Sequence, residues 1–218
     1  MKIYVLKQKS VSLPSIFLLL LLFVLPQEAY FQKGNNVFAV SRVISDVKKR
    51  YKLNSQDVTK IKPLINRENN DIIQLYARFS TEEPEYSHRL WQEMIVQRRD
   101  FETRKVILTK RQKVALRAAR TGMEKRLLNY LVGDYVNFLG QLLNLGEFEF
   151  NDVQDIFETD KDKKYGLATN YLFNSVLLRK ELEIVSEETE RAMRKILSNE
   201  QWRDYRSLSG PDDSVASL

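Results

Sequence analysis

The feature that most constrains the fold is a long stretch without proline in which apolar residues keep a helical spacing. No proline occurs between Thr109 and Leu145, and the residues that share one face are Leu116, Met123, Leu127, Leu131, Phe138, Leu142 and Leu145. Steps of three, four and seven positions are typical of an α-helix, and Gly146 follows as a C-terminal stop. At ~1.5 Å per residue the stretch predicts one helix of roughly 55 Å. Gly133 and Gly140, seven positions apart on one face, predict a close approach of another helix.

The rest of the chain also favours helices. Only seven glycines and five prolines occur in 218 residues, which leaves few turn residues for many short strands. The other predicted helical segments are residues 37–51, 58–79 with a kink or restart at Pro63, a helix with Pro84 in its first turn that reaches Ile107, 165–197 and a short one from Ser198. The acidic segment 147–163 predicts a connection that contains a short helix. We therefore predict an all-α fold.

The first thirty residues have the organisation of a secretory leader. Lys2, Lys7 and Lys9 precede an apolar run of ten residues, 16–25, which is shorter than the ~20 residues of a membrane-spanning helix. Residues 1–29 are predicted to be a signal peptide, with Ala29 at the cleavage site, or an uncleaved N-terminal anchor. The helical domain, 30–208, is then periplasmic or held at the inner membrane, and 209–218 is predicted to be a disordered tail.

One short pattern occurs twice, 89 positions apart. Its two copies are Leu108, Thr109 and Gln112, and Leu197, Ser198 and Gln201. A hydroxyl residue followed three positions later by Gln is typical of a capping box, in which each side chain bonds to the other residue's backbone N–H at a helix start. A looser third copy has Asn54 at the cap and Asp57 three positions later. The pattern thus marks where helices begin.

The two copies together resemble the repeated L-T-x-x-Q signature of the Spy/CpxP family of periplasmic proteins, with Ser198 in place of Thr and Asp57 in place of Gln. The resemblance implies long antiparallel helical hairpins that cross, often paired into a cradle-shaped dimer. It also implies an ATP-independent chaperone, an envelope-stress regulator or a metal-responsive protein. The acidic segment between the motifs makes this chain longer than is typical of the family.

The residue inventory argues against metal sensing and catalysis. His88 is the only histidine, cysteine is absent, and the four methionines are scattered, so no soft or imidazole-rich site can be assembled. Asp160 and Asp162 lack the turn glycine and final glutamate of a calcium loop. No glycine-rich phosphate loop, G-x-S-x-G or H-E-x-x-H occurs. We expect no enzyme, no catalytic residue, no metal and no cofactor, and His88 to be a surface or interface residue.

Charge is distributed unevenly along the chain. Residues 98–126 contain 11 basic and three acidic residues, whereas residues 147–162 contain seven acids and one lysine. Four cations fall within an arc of about 80° on one predicted helix; they are Lys110, Lys113, Arg117 and Arg120. The helix is predicted to pack with one face and to present cations with the other. Alternatively, these cations pair with the acidic segment, within the chain or across a dimer.

The partners expected from this pattern are unfolded or partly folded polypeptides, or a sensor protein, because charge attracts a chain and apolar contacts then hold it. A homodimer fits the resemblance. Nucleic acid is not expected, because the leader directs the chain out of the cytosol, and the membrane is involved only through an uncleaved leader. The alternative function is a membrane-anchored structural or scaffolding protein of the cell envelope.

Overall fold

The computed structural model describes residues 39–80, 86–105 and 107–208, and within these ranges it contains seven α-helices and no β-strand. The helices are α1 (Val40–Arg50), α2 (Ser55–Phe79), α3 (His88–Arg104), α4 (Lys110–Leu142), α5 (Glu147–Asn170), α6 (Ser175–Ile196) and α7 (Asn199–Leu208). The prediction of an all-α fold is confirmed. The predicted leader, 1–29, and the predicted tail, 209–218, lie outside the described residues.

Both copies of the repeated pattern lie at helix starts. At the start of α4, the Thr109 hydroxyl accepts from the Gln112 N–H at 3.3 Å, and Oε1 of Gln112 accepts from the Thr109 N–H at 3.1 Å. At the start of α7, Ser198 and Gln201 make the same two bonds at 3.3 and 2.8 Å. The two pairs therefore form the capping boxes that the sequence predicts.

Apolar residues flank these caps as a hydrophobic staple requires. Leu197, just before the Ser198 cap, is buried in the same core cluster that Trp202 packs against. Leu108 is half-buried against the other large cluster. Each leucine thus fixes the direction in which the chain enters its helix.

The two glutamines also join different helices. Nε2 of Gln112 donates to Oδ1 of Asp57 at 2.8 Å, and Asp57 belongs to the capping box of α2. Nε2 of Gln201 lies 3.4 Å from Oε2 of Glu149, which accepts from the Gly146 N–H at the start of α5. Each glutamine therefore caps its own helix and ties it to the start of an earlier one.

The two turns that precede α2 and α5 have the same geometry. Lys52 and Asn144 are the non-glycine residues with positive φ in the described ranges, and both have φ 48°. In each turn the N–H of the next leucine donates back across the helix end at 3.0 Å, as in a Schellman motif. These bonds run from Leu53 to the Lys48 carbonyl and from Leu145 to the Gly140 carbonyl.

The chain consequently contains two similar helical units. The turns and caps that precede α2 and α5 lie 92 positions apart, and two consecutive buried polar residues follow at the same displacement. These pairs are Glu68 and Asn69 in α2, and Asp160 and Lys161 in α5. One unit contains α1, α2, α3 and the first half of α4. The other contains the second half of α4 with α5, α6 and α7. The repeated pattern in the sequence is one visible part of this larger repeat.

Each unit has its own apolar core. Ile61 and Ile65 of α2 belong to a cluster with α1, α3 and the first half of α4. Val153 and Phe157 occupy the equivalent positions of α5, in a second cluster with the end of α4 and α7. A smaller cluster joins α3 to α5 and α6 through Ile95. Because α4 contributes to both large cores, it holds the units together.

Two predicted elements are wrong. The acidic segment 147–163 is not a connection with a short helix but most of α5, because Val153, Phe157 and Tyr165 bury one helical face beneath the exposed acids. The predicted helix 165–197 is divided between α5 and α6. The break falls at residues 171–174, where Oδ1 of Asn174 caps α6 by accepting from the Leu177 N–H at 3.1 Å.

The predictions made from proline and glycine positions hold only in part. The α2 helix does not restart at Pro63 but continues to Phe79, since Ile65 and Ile72 bury the same face beyond it. A Cβ on Gly140 would lie 2.8 Å from Cδ2 of Phe150, so this glycine does mark a close helix approach. A Cβ on Gly133 would meet no atom within 4 Å. The prediction is therefore wrong for Gly133.

Candidate functional site

Three of the four predicted cations lie at the N-terminal end of α4 and are accessible to solvent. Lys110 and Arg117 are exposed and Lys113 is half-buried. Val114, between them on the same side of the helix, is 42% exposed, and Ile107 in the preceding turn is 97% exposed. We call Lys110, Lys113, Val114 and Arg117 the basic α4 face. It offers cations and apolar atoms side by side.

Arg120 does not belong to this face. It is 2% exposed, its Nε donates to Oε1 of Glu124 at 2.7 Å, and its guanidinium also pairs with Glu68. The ring of Phe101 covers it, with the guanidinium carbon 5.0 Å from the ring centroid. The prediction that all four cations are presented to solvent is therefore wrong for Arg120, because α2 supplies a buried carboxylate on that side.

Arg117 is held by a carboxylate of α3. Its Nη2 and Nε donate to the two oxygens of Glu102 at 2.8 and 3.3 Å, and the buried Lys105 forms an ion pair with the same carboxylate. Burial of Glu102 opposes its ionisation, but hydrogen bonds from Arg117 and Lys105 lower its pKa overall. Burial lowers the pKa of Lys105. Arg117 remains 58% exposed, so its outer N–H groups can still bind a partner.

A buried charge network lies beneath the basic α4 face. Arg120 connects Glu68 of α2 to Glu124 of α4, and the Tyr165 hydroxyl of α5 donates to Glu124 at 3.0 Å. Burial raises the pKa of Glu68, although the charges of Arg120 and Arg104 oppose that shift. Burial, together with the charge of Glu124, raises the pKa of Tyr165 to about 12. The network joins four helices and positions them; its members are already paired with one another.

A groove of about 660 Å³ opens between α3, α4 and the α5–α6 turn. Arg98, Arg117 and Arg120 line it, and each of them is ion-paired with a glutamate. Phe173, in the turn, is exposed at its edge. The groove therefore has mixed polar and apolar walls whose charges are largely compensated, and it continues the basic α4 face without adding free cations.

The first half of α5 carries the opposite charge. Glu147, Asp152, Asp155 and Glu158 are exposed, and none forms an ion pair with a lysine or arginine that the structure describes. We call these four residues the acidic α5 face. Phe148 projects among them and is 86% exposed. Lys110 and Lys113 likewise have no acidic partner in the described ranges.

Two kinds of feature are absent from the described part of the chain, a metal-binding cluster of side chains and a membrane-spanning helix. Within 39–80, 86–105 and 107–208, no group of three or more His, Asp or Glu side chains is arranged to hold a metal ion. His88 begins α3, but its side chain lies outside the described part of the chain. None of the described helices is both long and apolar enough to cross a bilayer.

Sequence reasoning missed the acids that decide which cations are available. Glu68 pairs with Arg120 and keeps it buried, although the two residues lie 52 positions apart in the chain. Glu102 holds Arg117 from 15 positions away. No local sequence pattern predicts such contacts, since they depend on how α2 and α3 pack against α4. Arg111 was also missed as an exposed cation beside the basic α4 face; its Nε donates to the Tyr51 carbonyl at 2.7 Å.

Comparison of the chain with family models, with curated proteins and with solved structures found no match.

Proposed function

We propose that this chain is an exported, all-helical protein that binds unfolded or partly folded polypeptides without ATP, as a chaperone or an envelope-stress regulator of Spy/CpxP type. The observation that carries the proposal is the basic α4 face. It combines Lys110, Lys113 and Arg117 with the apolar Val114, and Ile107 stands beside it almost fully exposed.

This combination suits a two-stage contact. Cations increase the rate at which an acidic chain meets the face, and apolar side chains then bury part of the partner's surface. Neither stage requires ATP. Arg120 is excluded from the face because it is buried and paired.

The test measures how well the chain suppresses aggregation of an acidic client protein that is diluted from denaturant. Light scattering monitors the aggregation, and no ATP is added. The variant carries Lys110→Gln, Lys113→Gln and Arg117→Gln. Loss of three cations at roughly 0.5 kcal/mol each corresponds to about tenfold weaker binding. The loss should be larger at ~10 mM salt than at ~0.5 M, where charges are screened within a few ångströms.

The matched control is Lys180→Gln, Arg191→Gln and Lys195→Gln on α6, since all three residues are exposed and the change in charge is the same. This control should suppress aggregation as the unmodified chain does. Equal suppression by the two triple variants at low salt would contradict the proposal. That result would favour the alternative, a structural or scaffolding helical protein of the envelope.

A further inference from the structure

A small cavity between α4 and α5 contains a buried cation that the proposed function does not use. The volume of the cavity is about 220 Å³. Its lining residues come from both helices; they are Lys125, Leu128, Asn129, Lys161, Asp162 and Tyr165. The helices are antiparallel here, because Lys161 bonds to Asn129 and Tyr165 bonds to Glu124. The cavity therefore lies where the middle of α4 packs against the second half of α5.

Lys161 is a buried cation whose charge is only partly compensated. It is 8% exposed, and its Nζ donates to Oδ1 of Asn129 at 2.7 Å, which uses one of its three N–H groups. The nearest described carboxylate oxygen, Oδ1 of Asp162, lies 3.8 Å away on a side chain that is 81% exposed. That distance is too long for a hydrogen bond. Since a buried charge is costly unless it is paired and hydrogen-bonded, an anion in the cavity would stabilise Lys161.

The fold does not require a lysine at this position. The displacement of 92 positions that relates the two helical units places Asn69 of α2 where Lys161 lies in α5. Asn69 is also buried, at 4% exposed, and it carries no charge. The repeated architecture thus accommodates a neutral side chain at this point, so the cation needs a reason other than packing.

The cavity has a net positive charge. Of the described lining residues, Lys125 and Lys161 are cations and Asp162 is the single acid. The ammonium group of Lys125 lies 5.7 Å from the centroid of the Tyr165 ring, and the residue is exposed. Acids next to the lining residues are already paired, since Glu124 binds Arg120 and Asp160 binds Lys164. Two cations are therefore opposed by one exposed carboxylate.

The donor groups of the cavity favour a phosphate group as the ligand. Lysine ammonium groups are compact charges without the planar fork with which arginine matches a carboxylate, and they are common phosphate binders. The amide nitrogen of Asn129 adds a donor, because the oxygen of that amide already accepts from Lys161. At about 220 Å³ the cavity is smaller than the roughly 300–1,000 Å³ of sites for drug-sized ligands. It suits a single phosphate group better than a nucleotide.

We propose that Lys125, Asn129 and Lys161 bind a phosphate group, either inorganic phosphate or the end of a phosphate monoester. The bound anion compensates the charge of Lys161 and bridges α4 to α5. Asp162 weakens the site, because its carboxylate attracts Lys161 and repels the anion. The site shares no residue with the basic α4 face, so it stands whether or not that face binds polypeptides.

The experiment is a titration of the purified protein with sodium phosphate at constant ionic strength, monitored by the NMR chemical shifts of backbone amides. Amides in 125–129 and 161–165 should shift and saturate with a Kd on the order of 1 mM. Lys125→Gln should weaken binding at least about tenfold, because a hydrogen bond to a charged group is lost. Lys125 is exposed, so this variant keeps the fold. Lys161→Gln should weaken binding by at least as much.

Two further variants separate a binding site from a lysine that serves only the fold. Lys163→Gln is the matched control, because Lys163 lies two positions from Lys161 but its Nζ bonds to Glu188 of α6 at 2.7 Å. This variant should bind phosphate within about twofold of the unmodified chain, since screening weakens distant charges. Asp162→Asn should tighten binding about threefold, because the competing carboxylate is removed. A merely structural Lys161 would produce no such gain.

Two other anions identify the ligand more closely. Glycerol phosphate that binds as tightly as inorganic phosphate would assign the site to a phosphate monoester, and weaker binding would assign it to the free ion. Acetate should bind at least about tenfold more weakly than phosphate, since it carries less charge and fewer acceptor oxygens. The proposal is overturned if no shift saturates by ~20 mM phosphate, if acetate binds equally well, or if Lys125→Gln binds phosphate as the unmodified chain does.

Discussion

Gln112 and Gln201 show how one side chain can serve two helices at once. The oxygen of each amide accepts from a cap N–H, and the nitrogen donates elsewhere: Gln112 to Asp57, and Gln201 to the Leu143 carbonyl at 3.2 Å as well as toward Glu149. A side-chain amide can make both bonds because it carries an acceptor oxygen and a donor nitrogen. Glutamate, the other common third residue of a capping box, could make only the first bond.

Replacement of Gln112 by alanine should reduce the free energy of unfolding by about 1–2 kcal/mol, because the capping bond to the Thr109 N–H and the bond to Asp57 are both lost. Gln112→Glu keeps the capping bond but sets a carboxylate against Asp57, so it should also destabilise. Gln154→Ala, on an exposed site of α5, should change stability by less than about 0.5 kcal/mol. Urea denaturation measures all three, and a neutral Gln112→Ala would contradict a role in joining α2 to α4.

The same bond predicts a pH dependence. The hydrogen bond from Gln112 is the largest cause that lowers the pKa of Asp57 below its ordinary value of 3.8. A lowered pKa in the folded state stabilises the protein above 3.8, and this stabilisation is lost as the pH falls through the folded value. The stability difference between the unmodified chain and Gln112→Ala should therefore narrow below pH 3.8.

At the residue scale, the caps could be predicted because the relevant spacing is local. Thr109 and Gln112 are three positions apart, and this spacing is enough to form both bonds of a capping box at a helix start. Asp57 lies 55 positions from Gln112, so its role as the second partner could not be read from any window of sequence. The prediction that Arg120 is exposed was wrong for the same reason, since its environment depends on Glu68 in another helix.

At the element scale, the two glycines of the second half of α4 are not equivalent. Gly133→Ala should raise the free energy of unfolding by about 0.5–1 kcal/mol, because alanine favours the helix and a Cβ there meets nothing within 4 Å. Gly140→Ala places its Cβ 2.8 and 2.9 Å from two ring atoms of Phe150. The ring must move, which should cancel the gain or reverse it.

Thermal unfolding of the two glycine variants compares their stabilities directly, since the substituted positions lie two turns apart on the same helix. Equal stabilisation of both would contradict the close packing of α5 on Gly140. Equal destabilisation would show that Gly133 has a neighbour in the folded protein.

Helix existence could be predicted in most places, whereas the division of the second unit could not. Apolar residues keep a regular helical spacing along the whole of α4, and this spacing predicts a single helix. In α5 the buried positions are interrupted by Asp160 and Lys161, which are polar and buried, and the acids around them indicated a connection. No proline or glycine lies at 171–174 to mark the break before α6; only Asn174 does.

At the scale of the whole molecule, two helical units share α4, and the repeat that joins them is longer than any motif. The units agree in their turns, caps and buried polar pairs, although their side chains differ at most of these positions. Such differences hide a repeat from sequence inspection, because helical geometry tolerates many residues at each site. The exposed charges differ more strongly, so the α4–α5 hairpin has one basic end and one acidic end.

The central claim is that the basic α4 face holds unfolded polypeptide, and photo-crosslinking tests it most directly. A benzophenone side chain is placed at Val114, on that face, or at Ile184, on α6, which are 42% and 40% exposed. With an unfolded acidic client in excess at ~10 mM salt, position 114 should crosslink to the client and position 184 should not. Crosslinking from 184 as strong as that from 114, or none from 114, would contradict the claim.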